Sequence, residues 1–555
     1  MRRLLTLQKL NRIFLFILVF CFMGCTAPKN KKVEVAIPIK PKADIVNISD
    51  YIYLDESRLK VVESGINGVF NPLYAMSDAD KIISYMEFLP LLAKERNSEF
   101  TIDNSLSENY KKEGRFIKLR LRHINWWDHK PVTSKDVLFS LKIILNKKYV
   151  GNHKNSRLFN IVGAKEYYEG SADTISGFHI EDDKHFKIEL INSGLDMQEA
   201  LYIRPIPEHY YADEDGNYME ELNDLPLGNG PYRIVDYESN NFCMLEATDN
   251  FPFGKAKIEN VVIREELVGD LKTNLYSGEV DILNINGKDE IRFDKNIRQN
   301  YNIFTLFENN SVLLKCVPSG DLKDAKLRKF IFSSIQEDDF RTEPFKLLKY
   351  DVGLISLAND YYGHVDMPYD IYDSGLNRVG GSLFIHGEPF ILNIYYTNVG
   401  INEFLAKRIA EKLKTHGITT VINKIEATKT NAYISEIREM NQNALILQTF
   451  QNGIRPDYAC IYDGAEFMGA PQENKFQKYV EFYNTKPDEN ISKKYKTLSL
   501  ELIKGGWVRG IGSSITRTYI RKNIRNIYQS EYYDWYENKV WRINWADKMK
   551  KGEDY

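Results

Sequence analysis

Along most of the chain, apolar and polar positions alternate in short bursts closed by Gly, Asn or Pro, and between them lie stretches with apolar residues three or four apart. The first pattern is that of half-buried strands and the second that of amphipathic helices, so the sequence predicts a mixed α/β body. Strands are expected at Leu59-Val62, Phe116-Leu121, Phe186-Leu190, Tyr232-Asp236, Val261-Arg264, Phe390-Tyr396 and Ala444-Leu447. Helices are expected at Ser134-Leu145, Leu271-Ser277, Leu327-Ile335 and Glu403-Thr415. The last of these places Phe404, Ile409 and Leu413 near one face, stops at Gly417 and precedes a β-branched run, Ile418-Ile422. A βαβ unit from Phe390 to Ile422 is the natural reading. No repeat of 20 to 50 residues is present.

The N-terminus departs from this pattern. Arg2, Arg3, Lys9 and Arg12 precede an uncharged apolar run from Ile13 to Met23. A positive segment followed by a short apolar one is a secretory leader, and the run is about half the ~20 residues a spanning helix needs. Its end, Phe22-Met23-Gly24-Cys25, resembles a bacterial lipobox, in which a small residue precedes a cysteine that takes lipid, although Phe22 stands where that motif usually has Leu. Acyl chains on Cys25 would hold the protein on a membrane surface, each buried methylene contributing about 0.8 kcal/mol. The alternative is an ordinary cleaved leader with an incidental cysteine. The Lys- and Pro-rich stretch that follows, with little apolar content, reads as a flexible tether over 25–53.

Composition then narrows the classes. The chain is 43% hydrophobic and 27% charged, ordinary for a globular body. Its formal charge of −3, with no dense basic stripe, gives no sign of nucleic acid. Past Cys25 the cysteines Cys243, Cys316 and Cys460 are too scattered for a disulfide framework or a metal knuckle and read as buried free thiols, with one long-range bridge as the alternative. Nucleophile elbow, Walker loop and HExxH are missing, and Gly505-Gly506 with Gly510-Ile-Gly512 lacks the GxGxxG order. His123 and His129 read as exposed polar residues, and Glu337-Asp338-Asp339 as a solvated face. The sequence therefore carries no enzyme, cofactor or metal signal.

The segment Asn125-Trp-Trp-Asp-His-Lys-Pro-Val-Thr-Ser-Lys-Asp-Val-Leu-Phe-Ser140 reads locally as a turn and a helix start, with Thr133 as N-cap and Asp136 three residues on. It also resembles a signature stretch of the family 5 extracellular solute-binding proteins, the oligopeptide- and dipeptide-binding components of ABC transporters; His129 departs from the Gly usual at its turn. Asn67-Gly-Val-Phe-Asn-Pro72, Pro226-Leu-Gly-Asn-Gly-Pro-Tyr232, Leu275-Tyr-Ser-Gly-Glu-Val-Asp-Ile282, Lys326-Leu-Arg-Lys-Phe-Ile331 and Arg408-Ile-Ala-Glu-Lys-Leu-Lys-Thr-His-Gly-Ile418 are similar to the same family in the same order. The likeness runs from Leu59 to the C-terminus and is poor from Gln336 to about Ser382.

This resemblance implies a bilobal, closing-jaw α/β fold of the large periplasmic peptide-binding type, with mixed sheets, flanking helices and ligand buried between the lobes. The expected division is a leader over 1–24, the tether, a first lobe over 54–95 and 206–312 with an inserted subdomain over 96–205, a second lobe over 313–504, and a return to the first lobe over 505–555. The hinge is expected near Asn309-Val317 and Lys504-Arg509. The family's Trp-x-x-Asp element, whose aspartate takes the peptide ammonium, falls on Phe450 and Gly453, so Asp457 is the next acid able to serve. Phe450, Gln451, Asn452 and Asp457, with Asn67 and Phe70 opposite, are the expected ligand-binding residues. The implied partners are a small peptide and the permease subunits of an ABC transporter, the membrane being met only through the anchor, and the protein is expected as an extracytoplasmic monomer. Two other readings stay open: the same fold with a non-peptide solute such as a metal chelate, haem or an oligosaccharide, and a surface sensor or adhesin that has lost transport.

Overall fold

A computed structural model describes residues 58–546, except 97–98, 152, 154, 266–273, 276–278, 286–294, 341–347, 369–375, 400, 427–428, 454, 459–477, 479–480, 484–489 and 531–532. The leader, Cys25, the tether, Cys460 and nearly all of the helix expected at Leu271-Ser277 lie outside the described residues.

The chain begins with β1 (Arg58–Val62) and α1 (Asp78–Glu87), followed by β2 (Ser107–Glu113) and β3 (Phe116–Leu121). In β3 the alternation acts as read: Ile117, Leu119 and Leu121 are buried while Lys118 and Arg120 face water. Next comes α2 (Ser134–Ile144), started by a capping box in which the Thr133 N–H donates to Asp136 Oδ2 at 2.7 Å. The turn before it needs a left-handed residue, and His129 takes that role at φ +68°, which is why glycine is the usual occupant. β4 (Phe178–Ile180) and β5 (His185–Glu189) complete a four-stranded sheet in the order β2-β3-β5-β4.

The chain continues through β6 (Tyr232–Glu238), β7 (Phe242–Ala247), β8 (Asn260–Arg264), β9 (Ile282–Ile285), β10 (Tyr301–Phe307) and β11 (Asn310–Val317). After α3 (Ala325–Ser333) the predicted βαβ unit is present as β12 (Ile391–Thr397), α4 (Asn402–Thr415) and β13 (Thr419–Ile425). Its strands pair in parallel from Ile391↔Thr419 to Thr397↔Ile425, and α4 buries Leu405, Ile409 and Leu413 against them. β14 (Ala444–Gln451), α5 (Ile491–Lys504) and β15 (Val508–Arg521) follow.

A twelve-stranded sheet runs in the order β13-β12-β14-β11-β15-β9-β1-β8-β7-β6, with β10 and the short strand Leu348–Lys349 also pairing β15. The fold is bilobal, and β15 belongs to both lobes. Its residues Val508–Gly512 pair β11, whereas Ile515–Arg521 pair β10 and Arg517–Ile520 pair β9. The β11 pairing slips at Gly512, whose φ is +152°, and a β-carbon there would stand 2.3 Å from the Lys349 carbonyl oxygen. Only glycine lets that backbone press so close. The crossings therefore lie at Gly512 to Ile515 and at Phe307 to Asn310.

The lobes are packed differently. The first has one large core that joins Leu59, Phe70, Trp126, Ile188 and Leu245 to the late residues Trp535, Trp541 and Ile543, and a smaller cluster around Val62, Leu283 and Tyr519. The second divides its apolar residues among three clusters, around Phe330 with Ile409, around Leu313 with Tyr495, and around Val317 with Ile437.

Candidate functional site

Between the lobes lies a cavity of about 310 Å3. Its first-lobe wall is made by Asp78, Lys81 and Tyr85 on α1, by Lys94, Glu199 and Tyr202, and by the C-terminal residues Asp534 and Glu537. Its floor is the crossing itself: Asn284 at the end of β9, Glu308 and Asn309 between β10 and β11, and Thr516 and Thr518 of β15. Its second-lobe wall is the end of β14 and the loop beyond, Phe450 to Gly453, with Arg455, Asp457 and Tyr483.

Phe450, Gln451, Asn452 and Asp457 thus share one wall. Asn67 and Phe70 do not face them, which corrects the expectation for both. The Asn67 N–H donates to Asp80 Oδ1 at 3.1 Å, and its side chain is exposed on a turn away from the cavity. Phe70 is fully buried in the first-lobe core and meets Tyr237 edge-on with ring centroids 4.9 Å apart. A phenyl ring so placed contributes on the order of 2–3 kcal/mol by burial, and the loop folds inward to obtain it.

Asp457 lines the cavity, but its carboxylate reaches across the cleft. Oδ2 accepts from the Ser156 N–H at 2.5 Å and Oδ1 from Ser156 Oγ at 2.8 Å. Ser156 opens a short 3-10 helix, Ser156–Asn160, where free N–H groups favour an acid. Two further contacts cross beside it. The Arg157 guanidinium lies 4.9 Å from the Tyr483 ring centre, and Phe159 packs against cores of both lobes. Gly453, at φ +66°, brings bare backbone to the cleft, and a β-carbon there would stand 2.7 Å from Glu199 Oε1. The place where a side chain at 453 would project is filled by a carboxylate from the opposite lobe.

The remaining charges are held in a built environment. Lys94 pairs with Glu537 at 3.1 Å, both half-buried or deeper, and buried Arg204 lies 3.4 Å over the Tyr85 ring. Glu308 accepts from Asn310 Nδ2, yet desolvation, then the charges of Asp78 and Asp534, push its carboxyl up to about 8. Burial, with Asp78 adding, holds Glu63 behind the floor well above the usual carboxylate range. Burial also takes His153 down to about 4, so it is neutral at pH 7. Among the described residues no group of three or more His, Cys, Asp or Glu side chains is placed to hold a metal ion. The sequence reading missed Asp78, Glu199, Glu308 and Asp534: Asp78 reads as an ordinary first-turn acid of a helix, and the others carry no motif.

Residues 87–339 match the sequence profile of the bacterial extracellular solute-binding proteins, family 5 Middle. A Brucella ovis protein named for peptide binding in an ABC transporter is 23% identical over 421 residues, 72% of this chain and 74% of its own length. The solved structure of the oligopeptide-binding protein AppA from Bacillus subtilis, with a nonapeptide, superposes with a TM-score of 0.69 at 16% identity, over 88% of this chain and 99% of that one. NikZ from Campylobacter jejuni, with Ni(L-His), does so with a TM-score of 0.63 at 17% identity, over 88% and 100%. At such identities the superpositions establish a shared fold.

Proposed function

We propose that this chain, which resembles the family 5 extracellular solute-binding proteins in sequence and in fold, captures short peptides outside the cytoplasmic membrane and hands them to an ABC transporter. The observation that carries this reading is the cavity between the lobes, walled by polar groups from both and bridged by Asp457 on Ser156. Its volume stands at the lower end for small-ligand sites, which suits a peptide of a few residues. Peptides of any sequence offer the same N–H and C=O groups, so amides such as Gln451 and Asn452 serve many of them, and Phe450 gives an apolar surface. Asp457 acts here as the clasp between lobes. The function is binding without catalysis.

The likeness to NikZ keeps a metal chelate as the second reading. Native mass spectrometry of the purified protein separates the two: retained peptide masses support the first, a retained metal complex the second, and neither supports a sensor or adhesin. The anchor forms part of the proposal: Cys25 takes lipid and 25–53 tethers the body. No helix among the described residues is long and apolar enough to cross a membrane. Cys25→Ala is expected to release a folded protein from membranes; membrane retention of that variant would count against the anchor.

A further inference from the structure

We propose that the cavity floor is a cation site, where Glu308 and Asp534, backed by Asp78 and the side-chain oxygen of Asn284, receive an ammonium or guanidinium group of the ligand. This rests on the reading of the cavity as a peptide site and adds its charge preference. Six carboxylates line the cavity, those of Asp78, Glu199, Glu308, Asp457, Asp534 and Glu537, against the three basic side chains of Lys81, Lys94 and Arg455. The basic groups are already engaged: Lys94 with Glu537, Lys81 with Asp78 at 3.7 Å, and Arg455 with the Tyr495 hydroxyl at 3.1 Å and the Phe482 carbonyl at 2.9 Å. Among the described residues no basic group comes within ion-pair distance of Glu308 or Asp534. Their hydrogen bonds come from neutral donors, Asn310 Nδ2 to Glu308, and Gln529 Nε2 at 2.7 Å and the Tyr536 hydroxyl at 3.3 Å to Asp534.

Two amides that line the cavity, Asn284 on the floor and Asn452 on the adjoining second-lobe wall, each keep one buried polar atom without a partner. Asn284 Nδ2 donates to Glu63, which sets the orientation of the amide and leaves its buried Oδ1 without a donor. Asn452 is 2% exposed; its Oδ1 accepts from the Ser356 N–H at 2.5 Å and from Ser311 Oγ at 3.1 Å, so its buried Nδ2 lacks an acceptor. The Asn452 N–H donates to the Asn309 carbonyl at 3.0 Å, which places this amide next to Glu308 in the fold. A ligand with a cation near a carbonyl satisfies both, and buried polar groups left unmade are costly.

Without a cation the floor relieves its repulsion by protonation. Glu308 faces Asp78 and Lys81 on α1, Asp534 on the C-terminal segment and Glu63 immediately after β1, and keeps its proton to about pH 8. A bound cation favours the carboxylate, so Glu308 releases that proton on binding.

The test is titration calorimetry on the whole protein in buffers of different ionisation heat. The probes are acetyl-Ala-Arg-Ala, whose only cation is a guanidinium, Ala-Ala-Ala, whose only cation is its terminal ammonium, and acetyl-Ala-citrulline-Ala, which has none. At least one cationic peptide is expected to bind tenfold or more tightly than the citrulline peptide, and which one identifies the source of the cation. About nine-tenths of a proton should leave at pH 7, and affinity for the guanidinium peptide should rise about tenfold from pH 7 to pH 9. Glu308→Gln should remove the preference and the proton release, and Asp534→Asn should weaken the preference with the fold kept. Equal binding of the arginine, ammonium and citrulline peptides, with no proton released, overturns the cation site and leaves peptide capture standing. If no peptide binds, peptide capture falls, and spermidine decides the cation site alone: binding lost in Glu308→Gln keeps it, and no binding overturns it.

Discussion

On the first-lobe side the cavity presents Asp78, Lys81, Lys94, Glu199, Asp534 and Glu537, whereas on the second-lobe side Phe450, Gln451, Asn452 and Gly453 offer a ring, two amides and bare backbone. The two charges near that second wall are turned away from the cavity's centre, Arg455 into its own lobe and Asp457 across to Ser156. The difference follows the packing behind each wall. Charges stand on the lobe with the largest continuous core, where Arg204 is locked over Tyr85 and bonded to the Phe88 carbonyl at 3.2 Å. Fixed ionic groups need a stiff support, because their interaction with a ligand is strong only at set distances. The wall that rests on three smaller clusters carries short-range, forgiving groups instead. Fixed charge thus belongs to one wall, and a ring, amides and bare backbone to the other.

The sharpest way to break this division is to move a charge across it. Gly453→Asp puts a β-carbon 2.7 Å from Glu199 Oε1, on a left-handed backbone, and sets two carboxylates together. Ligand binding should fall by more than about a hundredfold, or roughly 3 kcal/mol, with the lobes held apart. Glu199→Ala in the same chain should recover much of the loss, since contacting residues are not additive. Small-angle scattering with and without ligand reports the state: wild type should shrink on saturation, Gly453→Asp should not, and an unchanged wild-type radius would argue against closure.

A smaller effect is expected where the walls touch without a ligand. Asp457→Ala removes two charge-assisted hydrogen bonds, each worth about 1.5–3 kcal/mol at most, from the closed form only. Ligand should dissociate about ten- to a hundredfold faster with association little changed, as stopped-flow fluorescence would show. Equal dissociation rates would mean that Asp457 is no clasp.

The smallest effect belongs to the floor in the empty protein. A carboxyl raised above its unfolded value of 4.5 binds its proton more tightly when folded, so Glu308 favours the folded chain below about pH 8 and that contribution is lost as pH rises from 4.5 to 8. Melting temperature should fall as pH rises over that range, and Glu308→Gln should flatten the slope.

How far the sequence alone reached follows the same division. The strand Phe116-Leu121, the capping box at Thr133 and the unit from β12 to β13 were legible because each is set by contacts within a few residues or by a strict period. Phe450 to Asn452 and Asp457 were expected on one wall only through the resemblance to the family's Trp-x-x-Asp element, since nothing in their own spacing marks a cleft. Phe70 misled because an aromatic in a loop looks the same whether it faces a ligand or a core. Glu308 and Asp534 could not be read, being 226 positions apart and joined only through the crossing. The cross-lobe bond of Asp457 to Ser156 spans 301 positions and has no local trace.

The passage of β15 through both lobes bears on how the chain is made. The clusters around Phe330 and Leu313 include Ile511 and Val508, and the large core includes Trp535, Trp541 and Ile543. Synthesis proceeds from the other end, and in most multidomain chains the leading domain folds first. Here neither half can close before its last tenth has arrived. For most of its length the polypeptide is a thread without a finished core, and its two halves become solid together only when β15 and the segment beyond it are in place.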